Sequence, residues 1–328
     1  LTEIVARSMP DKQFRPGGRV LSLFSSAQHG LILRSLAEGP VDLHDLARRA
    51  GVPNWTGLRG NIGNLIGLGA LEKRGPDGEP GVLDNALTPF GYDLLSVGTV
   101  LDAWLVRAPS GPLGPETADA RDAIRALTSA WGSTILRALA VRSLSVSELD
   151  DLLGSLTYPA IARRITAMGD AGLVETAGED GRGPAYAPTR WLREAMGPLM
   201  AAMRCESLHL DGQAMSLGRI DVETLFLLTV PIVGAVDATD GDCQLVVQLD
   251  DRDGGGSAGV RVSVDDGAPV SCVSRLDEGL EDQVTGPVPD WLPALVDGAV
   301  GGLDGNGSNR RSTAMVEALH GRLYRPAP

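Results

Sequence analysis

Apolar residues at Leu21, Phe24, Ala27, Leu31 and Leu36, with Ile32 and Leu33, form one helical stripe from Leu21 to Leu36 that Gly39 and Pro40 end. Asp42 stands where it can cap a second helix over Leu43 to Ala50, which Gly51-Val52-Pro53 stops. Asn54 caps a third, from Trp55 to Leu68. Gly69 to Arg74 then leads into the turn-rich stretch GPDGEPG, and NALTPFGYDLL returns as a strand and a helix start, with a helix expected from Leu94 to Val106. The same order recurs. Trp131 to Ala140 reads as a helix, Ser147 opens a short one through Leu152, and Thr157 to Ala171 makes a third. GLVETAGEDGRGPAYAP follows as two short strands around a charged, glycine-rich tip. One architecture is therefore expected twice, about 100 residues apart, across the linker RAPSGPLGPETADARD.

Beyond Arg204 the pattern changes. Val222 to Val236, Gln244 to Leu249, Val260 to Val264 and Val270 to Leu276 read as strands between the turns DATDGD, DDRDGGGSAG and VDDGAP. Helices are expected around Trp291 to Val300 and Ser312 to Leu323. The expected fold is mainly α with α+β: two units over residues 1–108 and 109–207, then an α+β domain over 208–328. Helix, helix, helix, β-ribbon is the order of a winged helix-turn-helix, whose third helix enters a DNA major groove.

Charge changes the picture by its placement. The 328-residue chain carries a net charge of −13, of which residues 1–108 hold 0, 109–207 hold −2 and 208–328 hold −11. The near-neutral first two thirds permit contact with DNA, while the last third is acidic. No apolar run reaches the roughly 18 residues that cross a bilayer, and Leu1 to Pro16 lacks the apolar core of a secretory signal. A cytoplasmic protein with no membrane partner is expected. Cys205, Cys243 and Cys272 are far apart, without a CxxC pair or a neighbouring histidine, so neither a disulfide framework nor a zinc site is expected. DDRDGGGSAG lacks the D-x-D-x-D-G spacing and twelfth-position Glu of a calcium loop. With no GxSxG, HExxH or P-loop present, no catalytic residue, metal or cofactor is assigned.

In the second unit, WGSTILRALAVRSLSVSELDDLL and YPAIARRITAMGDAGLVE resemble the HxlR branch of the MarR-like winged-helix regulators over Trp131 to Glu206. The resemblance implies a bacterial, usually dimeric protein that binds operator DNA. It puts Thr157 and Tyr158 at the exposed start of the recognition helix, Arg163 and Arg164 along it, and Arg182 in the wing. Arginine suits these positions, since its guanidinium forks onto guanine or clamps phosphate. Pro159, Glu179 and Asp180 depart from the family pattern and lower DNA affinity. The first unit resembles the winged-helix dimerisation domain of small-molecule O-methyltransferases, but no glycine-rich strand-loop-helix follows to hold a methyl donor. The last domain is similar to the sterol-carrier-protein-like domains of some HxlR-type regulators, which implies a sensor or dimerisation role around an apolar cavity.

The third helix of the first unit sets Leu58, Ile62, Leu65 and Ile66 on one face and Gly57, Gly60, Gly63 and Gly67 on the other. Each glycine costs on the order of 1 kcal/mol against alanine. That leaves Arg59, Asn61 and Asn64 as DNA contacts, and a smooth face suited to another helix or a flat ligand. Two readings result. One is a ligand-responsive transcriptional regulator whose second unit reads operator DNA. The other is a self-resistance protein that sequesters a small apolar or polycyclic compound between Trp55, Gly60, Trp104 and Trp131.

Overall fold

A computed structural model describes residues 16–49, 55–74, 84–128, 132–154, 156–180, 183–210, 217–250, 255–305 and 310–324. The first unit runs α1 (Gly18–Leu23), α2 (Ala27–Ser35), α3 (Leu43–Arg49), α4 (Trp55–Gly67), β1 (Leu71–Arg74), β2 (Asp84–Leu87) and α5 (Pro89–Leu105). The second runs α6 (Ala118–Thr128), α7 (Gly132–Val141), β3 (Leu144–Ser145), α8 (Val146–Leu152), α9 (Tyr158–Asp170), β4 (Val174–Asp180), β5 (Gly183–Pro188), α10 (Arg190–Glu194) and α11 (Met196–His209).

The two units close their third helix and ribbon by the same hydrogen bonds. After α4, the Ala70 amide donates to the Leu65 carbonyl at 2.9 Å; after α9, Leu173 donates to Met168 at 2.8 Å. Gly69 (φ +80°) and Gly172 (φ +72°) make the left-handed turn that this closure requires. Thr88 closes the first ribbon onto Ala70 at 3.1 Å, as Thr189 closes the second onto Leu173 at 3.0 Å. Both threonine hydroxyls donate to the helix-ending glycine carbonyl, at 2.6 Å to Gly69 and 2.9 Å to Gly172. Both also cap the next helix, by accepting from Gly91 at 3.2 Å and Leu192 at 3.1 Å. Val41 bridges Asn85 of β2 where β3 pairs with β5, so each antiparallel ribbon has the same third partner.

The units face each other through α5 and α11 by reciprocal contacts. Phe90, near the start of α5, stacks on His209 at the end of α11, with ring centroids 5.0 Å apart. Trp191, just before α11, stacks on Trp104 at the end of α5, at 4.2 Å and 7°. Each indole N–H donates to the other tryptophan's carbonyl, at 2.8 and 2.9 Å. His209 pairs with Asp93 at 2.5 Å, and Arg107 reaches Glu194 at 3.6 Å in the mirrored position. Start-to-end contact in both directions, between two copies of one frame, is an approximate two-fold relation within a single chain.

The remaining described residues form α12 (Arg219–Thr229), a five-stranded sheet and two closing helices, α13 (Val288–Asp297) and α14 (Arg310–Tyr324). The strands are β6 (Gly241–Gln248), β7 (Ser257–Asp265), β8 (Ala268–Val273), β9 (Gln283–Pro287) and β10 (Asp304–Gly305), in the order β10-β9-β6-β7-β8. The β6–β9 pair is parallel and the others antiparallel. Trp291 anchors α13 to the sheet, donating to the Val246 carbonyl at 2.9 Å and meeting Phe226 edge-on. Two buried carboxylates tie this part to the second unit. Glu223 of α12 receives Arg137 Nε at 2.8 Å, and Glu194 receives Arg190 at 3.2 Å together with Arg107 and Arg322.

The fold is mainly helical with α+β character, and several expected elements differ. The stripe from Leu21 to Leu36 is two helices, because the Ser22 and Ser25 hydroxyls bond the Arg19 and Ser22 carbonyls at 2.7 and 2.6 Å and end the first early. The strand expected from Val222 to Val236 is α12 followed by a 3-10 turn at Val230–Ile232. Every residue from Val222 to Val230 is buried, so the run carries no periodicity to separate helix from strand. Part of the expected linker is α6, capped by the Thr117 hydroxyl accepting from Ala120 at 3.2 Å. The cap of α8 is Ser145 instead of Ser147, in a reciprocal box with Glu148. β9 was not expected from the sequence pattern, and α11 runs on to His209, past the boundary drawn at residue 207.

Candidate nucleic-acid interface

α4 and α9 each have 13 residues and bury one stripe: Leu58, Ile62 and Leu65 in α4, and Ile161, Ile165 and Met168 in α9. The opposite faces look outward. Trp55 and Tyr158 open the two helices and are 41% and 49% exposed. Thr157 is the exposed residue just before α9. Arg59 and Asn64 on α4, and Arg163 and Thr166 on α9, are exposed as well. Arg164 is half-buried; partial burial, then the adjacent Arg163 charge, pull its guanidinium below the ordinary value.

Other expected contacts are placed differently. The Asn61 amide is engaged within the unit, donating to the Gly57 carbonyl at 3.0 Å and to Gln28, so base contact would have to break these bonds. A methyl group added at Gly60, Gly63 or Gly67 would meet nothing within 4 Å, so among the described residues no helix packs on this face of α4. Of the expected ligand walls, Trp55 and Trp104 do not share a pocket. Trp104 is fully buried against Trp191, whereas Trp55 is exposed and stacks on His44 at 5.7 Å. Trp131 and Arg182 lie outside the described residues.

A cleft lies behind α9. It measures about 850 Å³ and is bounded by the segment from Pro109 to Leu113, by α6 and by the second half of α9. Its lining carries Arg125, Arg163 and Arg164 together with Asp119, Asp122 and Asp170, and Leu113, Ile135 and Met168 are among its apolar residues. Asp122 holds Arg125 at 3.0 Å. The α6 contribution was hidden in the stretch taken for linker, although ADARDAIRAL does carry the spacing of an amphipathic helix. Two much smaller cavities adjoin α11 and α12, both lined by Met203, Leu217 and Leu225, and one of them also reaches α13 at Trp291.

Burial pushes the thiols of Cys205, Cys243 and Cys272 up to about 12, so all three stay protonated at neutral pH. Among the described residues no cluster of His, Cys, Asp and Glu could hold a metal, and no helix is long and apolar enough to cross a membrane. Comparison with protein families finds no model that matches this chain, and comparison with curated proteins finds none that matches either.

Proposed function

We propose that the chain is a ligand-responsive, DNA-binding transcriptional regulator built from two winged helix-turn-helix units, with α4 and α9 as the helices that approach the duplex. The carrying observation is the repeated order of three helices and an antiparallel ribbon, its third partner a single bridge at Val41 in the first copy and the short strand β3 in the second, each copy with one face of its third helix exposed. That frame supplies what a major-groove reader needs: a helix held from behind by its apolar stripe, with exposed side chains in front. Arg163 is positioned for phosphate or guanine, and Tyr158 offers an apolar edge of the kind that meets a thymine methyl.

The cleft behind α9 supports the ligand-responsive half of the reading. Its volume is that of a drug-sized site, and its balanced arginines and aspartates suit a polar or zwitterionic compound better than the apolar polycycle expected from the tryptophans. Arg163 and Arg164 both line it, so an occupant would draw on the guanidinium groups offered to DNA and weaken DNA binding. The same cleft is the one observation that favours the sequestering alternative. A mobility shift with the DNA upstream of the protein's own coding region separates the two. A regulator retards it specifically and loses it steeply with added salt; a sequestering protein leaves it unshifted even at low salt.

A further inference from the structure

Resting on the DNA-binding reading, we infer that one chain occupies both halves of its operator, and that the two half-sites are unlike in sequence. Homodimeric regulators meet palindromic DNA through a two-fold axis between identical subunits. Here that axis is internal. The α5 and α11 surfaces are spent on each other, with Trp104 fully buried and Phe90, Leu94, Leu101 and Trp191 nearly so. The buried stripes of this helix pair are used within the chain, and the reciprocal contacts relate the unit that carries α4 to the unit that carries α9.

The symmetry holds for the frame and fails for the reading surface. The matched closures at Ala70 and Leu173 align Leu65 with Met168, and counting back through two 13-residue helices aligns Trp55 with Tyr158. The same alignment sets Ile62 with Ile165 and Leu58 with Ile161, so all three buried positions agree. The outward positions do not. Gly60 stands where α9 has Arg163, Gly63 where it has Thr166, and Asn64 where it has Ala167, while Arg59 of α4 matches Ala162. α9 therefore presents a long cation in mid-helix. α4 presents bare backbone there, with its cation one residue earlier and an amide one turn on. The aromatic at the head of each helix is the shared element. A duplex that satisfies both helices carries two different base patterns, one or more helical turns apart and without a palindrome.

The test uses the full chain on its operator duplex, with native mass spectrometry for stoichiometry and hydroxyl-radical footprinting for contacts. The expected result is one chain per duplex and two protected patches. Arg163→Ala should remove protection in one patch only, and Arg59→Ala in the other, each weakening binding by about tenfold. Both side chains are exposed, so circular dichroism should be unchanged. Two chains on a palindromic site, or loss of both patches from either substitution, overturns the inference and leaves the DNA-binding reading standing. No complex at low salt removes both.

Discussion

Gly69 and Gly172 do the same job under different constraints. Both hold positive φ, at +80° and +72°, but a methyl group at Gly69 meets nothing within 4 Å, whereas one at Gly172 comes to 3.2 Å from the Pro109 ring. Gly69→Ala should cost about 1 kcal/mol from backbone strain alone, and Gly172→Ala measurably more. Urea melts of the two variants check this, and equal losses would refute it. Glu206 supplies a second residue-level outcome. Its carboxylate crosses from α11 to accept from the Gly17 and Val20 amides, both at 2.9 Å, and so caps α1. Burial raises its pKa above the ordinary 4.5, against the lowering by the Val20 and Gly17 hydrogen bonds. A carboxyl whose folded pKa is raised binds its proton more tightly when folded. Its contribution is therefore full below the ordinary value and is lost as pH rises through the raised one. The stability of the wild type relative to Glu206→Gln should accordingly fall between pH 4.5 and the raised value, then level off. A difference that stays flat across a thermal-melt series from pH 4 to 7 would contradict this.

Helices with one apolar face were legible and fully buried ones were not. α4 and α9 show their stripes at Leu58, Ile62, Leu65 and at Ile161, Ile165, Met168, and were placed within a residue or two. α12 is buried all round, so VETLFLLT reads equally well as a strand, and only the packing against α7 and the sheet decides. The site divides in the same way. Exposure of Arg163, Tyr158 and Arg59 follows from periodicity, but the engagement of Asn61 by Gln28 and the separation of Trp55 from Trp104 depend on tertiary contacts that no spacing encodes. The ties between elements are likewise long-range. Glu194 is buried among Arg107 from α5's end, Arg190 of its own helix and Arg322 of α14, so it joins all three parts of the chain. Glu194→Ala leaves these guanidinium groups without their buried partner and should cost about 3–5 kcal/mol. Calorimetry should also show the single transition broadening or splitting as the parts uncouple. A loss below about 1 kcal/mol would mean the cluster is screened like a surface pair.

At the scale of the molecule, the charge distribution and the duplicated order were readable, since both are properties of long stretches. The reciprocity of the duplication was not, because it lies in aromatic pairs as distant as Phe90 with His209 and Trp104 with Trp191. That reciprocity turns two helical units into one two-faced object, and it makes the central claim measurable. The affinity of the full chain for its upstream duplex should be followed across a salt series for the wild type, Arg59→Ala, Arg163→Ala and the double variant. If α4 and α9 touch the same duplex, each single substitution should lower the slope of log K against log salt by about one and the double by about two. A double variant with the wild-type slope, or a wild type that does not bind at low salt, would contradict the account.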